Sequence, residues 1–210
     1  MAIRTIQTAL GPLAPDALGR TLMHEHLVIG YPGFESDTIR PGPTREEMFR
    51  ICVDRIEELK DLGIGALVDP CPNDLGRDVE LTAKVAQHTR FPIVVATGLY
   101  KEAEGAHGYW GFRATTGGGS DSMAELFEKE ITEGIGPTGV RPGIIKVATG
   151  APAMTPYERA ILAAAAKASV ATGAPITTHT DQGRLGDEQQ RILTAAGVPA
   201  HRIVIGHCCG

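Results

Sequence analysis

Short apolar, β-rich runs alternate with longer amphipathic stretches along most of this 210-residue chain, and no other feature constrains its fold more strongly. Most of the short runs are continuously apolar, which is typical of strands buried on both faces of a parallel sheet. Their alternation with predicted helices indicates a series of βα units. A hairpin with its turn in residues 11–15 is expected before the series. The predicted strands are residues 21–28, 64–69, 93–97, 144–149, 175–179 and 203–207.

The segments between the strands carry helix-start and helix-stop signals. Thr44 and Thr155 each have a glutamate three residues later, which is the capping-box spacing, and Ser122 offers a third such start. Pro156 fits the first position of a helix because its missing N–H needs no partner there. Helices are also predicted over residues 77–88, 126–131 and 187–196, and glycines mark helix ends at positions 63, 173 and 197.

Polar residues at the strand ends favour a barrel over an open sheet. An open doubly wound sheet binds its ligand at one switch point, whereas a barrel gathers residues from the carboxyl ends of many strands. The sequence therefore predicts an α/β fold, a (β/α)8 TIM barrel over residues 1–210 as a single domain, with about six of eight βα units present. A complete barrel takes roughly 250 residues, so a C-terminal part is expected to be missing. The residues in or at the ends of four strands are His24, His26, Lys146, His179 and His207.

Composition narrows the classes of partner. The formal net charge is −5, the isoelectric point is about 5.8, and no Lys/Arg cluster occurs, which argues against a nucleic-acid or anionic-membrane surface. Neither a secretory signal nor a membrane-spanning apolar run is present, so we expect a cytoplasmic protein with a small-molecule partner. The cysteines do not make a disulfide framework and are expected to be reduced; they are Cys52, Cys71, Cys208 and Cys209.

Two histidines flank Glu25 in the first predicted strand. Side chains two apart on a strand point to the same side, so His24 and His26 can reach one point in space. That arrangement suits a metal ion, although the motif alone is a weak signal.

Lys146 is the only lysine inside an apolar strand run. Burying its ammonium group costs several kcal/mol unless it is paired or neutralised. One interpretation is an ion pair with an inward-facing carboxylate. The other is a neutral amine that adds carbon dioxide to become a carbamate, whose two oxygens can bridge two cations.

His179 and His207 each end a short β-branched run. Taken singly, each fits a hydrogen-bonded core histidine, but together with the other strand-end residues they converge on the face where barrel active sites lie. Imidazole with oxygen ligands suits Zn²⁺, Co²⁺ or Mn²⁺. His88, near a helix end, and His201, before the last strand, are predicted to be structural.

A glycine-rich segment over residues 98–119 is predicted to be a loop. Tyr109, Trp110 and Phe112 in this segment either line an apolar acyl site or belong to a mobile surface loop. His107 in the same loop either contacts substrate or is solvated.

With these motifs in place, the sequence resembles the phosphotriesterase family, the metal-dependent hydrolases of the amidohydrolase superfamily that include phosphotriesterase-like lactonases. The resemblance runs through essentially all 210 residues. It rests on Thr-Leu-Met-His24-Glu-His26, Asn73-Asp-Leu-Gly-Arg77-Asp78, Ala96-Thr-Gly-Leu-Tyr100, Gly-Ile-Ile-Lys146-Val-Ala-Thr, Thr-Thr-His179-Thr, Asp187-Glu-Gln-Gln190 and Val-Ile-Gly-His207.

This resemblance implies a (β/α)8 barrel that holds two divalent metal ions, with zinc expected first and Co, Mn or Fe as alternatives. It implies that His24 and His26 hold the more buried cation and that His179 and His207 hold the more exposed one. It also implies that Lys146, carbamylated by CO2, bridges the two.

Tyr100 matches an aromatic position of the family that touches substrate. The sequence departs from the family pattern in two places. The family's remaining ligand, an aspartate that ends strand eight, lies beyond residue 210, and Gly210 stands where the family often has an acidic residue.

The resulting hypothesis is a binuclear metal-dependent hydrolase that uses a metal-bridging hydroxide. Its substrates are expected to be lactones or other carboxylic esters, with organophosphate triesters as a further class, and the full-length protein is expected to be a homodimer. Two alternatives stay open. One is a mononuclear deaminase of the same superfamily, which would not need Lys146, and the other is a non-catalytic barrel that keeps metal or ligand binding.

Overall fold

A computed structural model describes residues 5–116 and 121–208 of the chain. It begins with an antiparallel hairpin of β1 (Ile6–Thr8) and β2 (Gly11–Leu13). The predicted turn in residues 11–15 is wrong, because Gly11–Leu13 is the second strand and the turn lies at residues 9–10. The Thr8 hydroxyl closes this turn, since it donates to the Gly11 carbonyl and accepts from the Leu10 N–H.

Six parallel strands form one curled sheet in the order in which they occur in the chain. Within the described residues, each of these strands pairs only with its neighbours in sequence, which is the connectivity of a (β/α)8 barrel. The predicted incomplete barrel is thereby confirmed. The strands are β3 (Thr21–Leu22), β4 (Ala66–Asp69), β5 (Ile93–Leu99), β6 (Ile144–Ala148), β7 (Ile176–His179) and β8 (Ile203–Val204).

The described helices lie between the strands and cover the outside of the sheet. The two predicted capping boxes at Thr44 and Thr155 are both formed. The third is wrong, because its helix begins at Asp121 and Ser122 already lies in the first turn. The helices are α1 (Arg45–Asp61), α2 (Val79–Thr89), α3 (His107–Thr115), α4 (Asp121–Glu133), α5 (Pro156–Thr172) and α6 (Gly186–Ala195). None of the helices in the described residues is both long and apolar enough to cross a membrane.

Two apolar clusters join the sheet to the helices. Phe127 and Ile161 pack with Ile145 between β6 and the helices α4 and α5, and Ile56 and Val85 pack with the β4–β5 side. Because every residue of β4, β5 and β6 is buried, the continuous apolar runs in the sequence are explained by burial on both faces.

The first and last strands are shorter than predicted. Only Thr21–Leu22 of the predicted strand 21–28 is a strand, and further along the segment the Leu27 N–H donates to the Asp69 carboxylate at 3.3 Å. The predicted strand 203–207 ends at Val204, and His207 takes a left-handed backbone conformation. Conversely, β5 extends to Leu99. Gly98 allows this, since a side chain there would overlap the backbone of Lys146.

The predicted glycine-rich loop over residues 98–119 contains α3, so the loop prediction is wrong for its middle part. Trp110 is buried and packs in the core with Leu99 and Met123, because α3 lies against the sheet. Tyr109 and Phe112 are exposed on the other side of the helix. Residues 117–120 of this segment lie outside the described residues.

Candidate metal centre

The carboxyl ends of the strands bring all six predicted site residues together. Lys146 Nζ lies 2.9 Å from His24 Nε2, and the His24 ring centroid lies 4.7 Å from that of His207 and 5.9 Å from that of His26. The His207 centroid in turn lies 4.5 Å from that of His179. The Tyr100 hydroxyl lies 3.3 Å from the nitrogens of the His179 ring. The cluster is confirmed as a geometric fact, whereas the assignment of these residues as metal ligands stays a prediction.

The His24–His26 pair lies just beyond the end of β3 rather than on a strand. The Glu25 N–H between them still donates to the Val68 carbonyl at 3.3 Å, so the segment continues alongside β4. Gly206 lets His207 approach the pair, because a Cβ at position 206 would lie only 3.2 Å from His24 Cε1.

Lys146 is buried to 1% exposure on β6. Its one hydrogen-bond contact in the described residues is His24, and it forms no ion pair with a carboxylate there. The first interpretation of this lysine, an ion pair with an inward-facing carboxylate, is therefore not what the structure shows. Burial lowers the pKa of Lys146 to about 8, although the nearby Cys71 and Asp69 oppose this shift. The amine consequently gives up its proton more readily than an exposed lysine does.

Three of the histidines are held in the neutral form. Burial, and then the positive charge of Lys146, lowers the pKa of His24 to about 3. Burial also lowers the pKa of His179 to about 4, against the opposing effect of Asp181. The pKa of His207 is lowered by burial and by Lys146. Because a metal ion binds the neutral imidazole, these shifts leave the ring nitrogens able to bind a cation at neutral pH.

Asp69 is a site residue that sequence reasoning missed. Its Oδ1 lies 3.4 Å from His26 Nδ1 and accepts a hydrogen bond from the Cys71 N–H at 3.0 Å. The ligand atoms of His26, Asp69 and Cys71 all lie within 4.8 Å of one another, which is close enough for one cation. Burial raises the pKa of the Cys71 thiol to about 12, so the thiol is protonated in the absence of a cation. The signal in the sequence was a carboxylate that ends the apolar run of β4.

A second missed carboxylate, Asp181, follows β7. Its Oδ1 lies 3.1 Å from His179 Nε2 and 2.9 Å from Lys101 Nζ. Its position two residues after a strand-end histidine was the available signal, because both then lie at the same end of the barrel.

The donor atoms of this cluster suit divalent cations. Four imidazoles and one amine surround the centre, and two buried polar atoms there have no hydrogen-bond partner in the described residues, namely His26 Nδ1 and Thr177 Oγ1. His26 Nδ1 and Asp69 Oδ1 thus lie 3.4 Å apart without forming a hydrogen bond. Thr177 is the register partner of Lys146 on β7, so the two side chains share one face of the sheet.

The remaining histidines lie outside this cluster, and the cysteines make no disulfide in the described residues. His88 is in the last turn of α2, with its ring 5.5 Å from that of Phe49. His201 lies in a short 3-10 turn before β8, at the opposite end of the strands. His107 opens α3 and pairs with Glu102 at 3.1 Å. The free thiols are Cys52, Cys71 and Cys208, while Cys209 and Gly210 lie outside the described residues.

Comparison with known proteins places this site in a family. The profile of the Phosphotriesterase family matches residues 4–210. The chain is 39% identical over 206 residues to a phosphotriesterase homology protein of Mycobacterium tuberculosis, covering 97% of this chain and 63% of that protein. It is 34% identical over 194 residues to an aryldialkylphosphatase of Saccharolobus solfataricus, covering 90% and 59% respectively.

A solved structure shares the fold as well. A mutant of a PTE-like lactonase from Deinococcus radiodurans superimposes with a TM-score of 0.92 at 40% identity, covering 97% of this chain and 63% of that one. The chain thus spans about three fifths of the length of the relatives it matches. With the whole described length of the chain aligned and the strand-end cluster in place, the chain belongs to the phosphotriesterase family.

Proposed function

We propose that the full-length protein is a binuclear metal-dependent hydrolase of esters. Lactones and other carboxylic esters are its expected substrates, and organophosphate triesters are a further class. The observation that carries this proposal is the burial of Lys146 with no carboxylate partner in the part of the chain that the structure describes. Its Nζ lies 2.9 Å from His24 Nε2, among histidines whose pKa values are lowered. A buried lysine kept only for stability would be paired.

Carbon dioxide forms a carbamate only with the neutral amine of a lysine such as Lys146. Its nitrogen lone pair would form a bond to the carbon of CO2, one C=O π bond would break with its electrons moving to oxygen, and the nitrogen would release a proton to water, which leaves an anionic carbamate. Burial favours this reaction, because it disfavours the ammonium form that has no lone pair. The unpaired Thr177 hydroxyl on the same face is available to donate a hydrogen bond to the new oxygens.

The histidines divide into two pairs around this lysine. His24 and His26 would hold the inner cation, and His179 and His207 the outer one, each as neutral imidazole. Zinc suits this nitrogen-rich set best, with cobalt, manganese or iron as alternatives. Bound there, two cations polarise the carbonyl or phosphoryl oxygen of the substrate and supply a water-derived nucleophile at neutral pH.

Tyr100 places a phenol at the edge of the cluster. Its hydroxyl lies 3.3 Å from the His179 ring, and burial raises its pKa well above the usual range, so it stays protonated. A protonated hydroxyl can donate a hydrogen bond to a bound ester, which makes Tyr100 the proposed substrate-contacting residue. A small-molecule ester or lactone as substrate and a homodimer of the full-length protein belong to the same proposal.

The test uses the full-length protein loaded with zinc in bicarbonate buffer. Metal content per chain is measured alongside hydrolysis of a lactone series and of an aryl dialkyl phosphate. We expect two cations per chain and turnover of lactones. His24→Ala should abolish both, whereas the matched variant His88→Ala should change neither.

Each of the two alternative functions would give a different result in this test. One cation per chain with deamination of a small amine substrate would favour the mononuclear deaminase. Two cations with no turnover of any ester would favour the non-catalytic barrel.

A further inference from the structure

The carboxylate of Asp181 links three loops at the carboxyl end of the barrel. Its Oδ1 accepts a hydrogen bond from Lys101 Nζ, in the loop after β5, at 2.9 Å. The same oxygen lies 3.1 Å from Nε2 of His179, the last residue of β7. Its Oδ2 accepts from the Ala151 N–H, in the loop after β6, at 3.2 Å. The carboxylate is therefore fixed on both oxygens.

The contact with His179 sets where the proton of the ring sits. An ionised carboxylate is only an acceptor, so the His179 nitrogen that faces it must carry the hydrogen. With the hydrogen on Nε2, the lone pair of the neutral ring is on Nδ1. Carboxylates beside metal-binding histidines commonly fix the tautomer and the orientation of the ring in this way.

Lys101 holds Asp181 in place. The Asp181 side chain is 35% exposed, which by itself would leave it free to turn toward water. Lys101 is only 8% exposed, and its ammonium also contacts Glu104 Oε1 at 3.0 Å. The long lysine side chain is thus packed, and its charge is directed at the carboxylate that touches His179.

We infer that Asp181, held by Lys101, is a positioning residue that makes His179 present Nδ1, rather than Nε2, to the outer cation. This inference rests on the proposed function for the existence of that cation. The tautomer itself is a property of this chain's own residues. A merely structural role for the Lys101–Asp181 pair would stabilise the loops but would not select one ring nitrogen.

The first arm of the test needs no metal. Nitrogen-15 chemical shifts of His179 in the metal-free full-length protein report which ring nitrogen carries the hydrogen. We expect the Nε2–H tautomer in the wild type and a mixture of both tautomers in Asp181→Ala. Lys101→Met should move the shifts in the same direction by a smaller amount. Glu104→Gln is the matched control, because Glu104 contacts Lys101 but not His179, and it should leave the shifts unchanged.

The second arm uses the cadmium-113-loaded protein, in which coupling to nitrogen-15 identifies the ligating atom. We expect coupling of His179 through Nδ1 in the wild type. Asp181→Asn should weaken retention of one of the two cations by about 10-fold and split the ligation between the two nitrogens. Ligation through Nε2 in the wild type, or unchanged tautomer and retention in both Asp181 variants, would overturn the inference.

The two proposals fail in different ways. If the wild type binds no pair of cations, the proposed function is wrong, yet the tautomer result still decides the role of Asp181. If the wild type binds two cations and Asp181→Asn binds them equally well through Nδ1, only the positioning role is wrong.

Discussion

Two cationic side chains with little solvent exposure differ in their partners in this barrel. Arg77, which leads into α2, donates to both oxygens of Glu130 at 2.8 Å and to the Ala96 carbonyl at 2.9 Å. Lys146 is more deeply buried, and its only hydrogen-bond contact in the described residues is the neutral His24. A bidentate arginine pair stabilises loops and helices, whereas an unpaired lysine costs stability. The difference fits the proposal that Lys146 is kept for its reactivity.

The location of each group agrees with this distinction. Glu130 lies on α4, outside the sheet, so the Arg77 pair ties the β4–α2 loop to a covering helix. Lys146 lies in register with Gly98 on one side and Thr177 on the other, among side chains that point toward the strand-end cluster. Arg77 therefore lies between structural elements outside the sheet, whereas Lys146 lies at the strand-end cluster.

The largest effect is expected for loss of the unpaired lysine. Lys146→Ala removes the proposed bridging group, so the loaded full-length protein should lose the proposed cation pair and at least ~10³-fold in ester turnover. A short carboxylic acid or added bicarbonate should restore part of both. Metal analysis and turnover measure the effect, with the exposed Lys84→Ala as control. Two retained cations and near wild-type turnover in Lys146→Ala would contradict the distinction between Arg77 and Lys146.

Breaking the paired cation should instead affect stability. Arg77→Met leaves the Glu130 carboxylate buried without its partner, which should lower the free energy of unfolding by about 3–5 kcal/mol. Arg45→Met is the matched control, because the Arg45 pair is half exposed and should be worth no more than about 1 kcal/mol. Urea denaturation measures both. Lost metal binding in a folded Arg77→Met protein would mean that this pair also serves the site.

Replacement of Lys146 by methionine should raise, rather than lower, the free energy of unfolding of metal-free protein kept without CO2. The folded pKa of about 8 lies below the ordinary value of 10.5, so charging the buried amine costs stability. This cost is complete below pH 8 and disappears as the pH rises toward 10.5. Lys146→Met should therefore stabilise the protein by about 2 kcal/mol at pH 7 and by little at pH 10.5. A destabilised variant at pH 7 would show that Lys146 has a stabilising partner.

A smaller effect is expected from the histidines on acidification. His24 and His179 have folded pKa values of about 3 and about 4, below the ordinary 6.5, so the unfolded chain takes up protons first as pH falls. The metal-free protein should lose stability between pH 6.5 and about 4. His24→Gln should flatten this decline in denaturation curves, and His88→Gln should not. An equal change in both variants would mean that the cluster does not set the acid sensitivity.

The smallest effects are expected for the histidines outside the cluster. His88→Gln and His201→Gln should change ester turnover of the loaded protein by less than about 2-fold, since surface substitutions away from a site rarely matter. Steady-state kinetics of ester hydrolysis measures this effect, with His207→Gln as the variant inside the cluster for comparison. Comparable losses in all three variants would mean that the assignment of the barrel's two ends is reversed.

The strand-end cluster could be predicted because parallel strands in a barrel end on one face, so residues far apart in sequence meet there. His24 and His26 meet this rule even though they lie beyond β3, since the segment still runs alongside β4. Asp181 and Lys101 could not be predicted as a pair, because their contact joins two loops 80 residues apart. Helix α3 was missed because its glycines and the short apolar run resemble a loop, and only packing of Trp110 against the core makes it a helix.

The most direct test of the account is carbon-13 NMR of the zinc-loaded full-length protein prepared with ¹³C-bicarbonate. The account predicts one carbamate resonance per chain, two cations per chain, and loss of the resonance in Lys146→Ala. Full metal loading with no carbamate signal, and with an unmodified Lys146 in the mass spectrum, would contradict it.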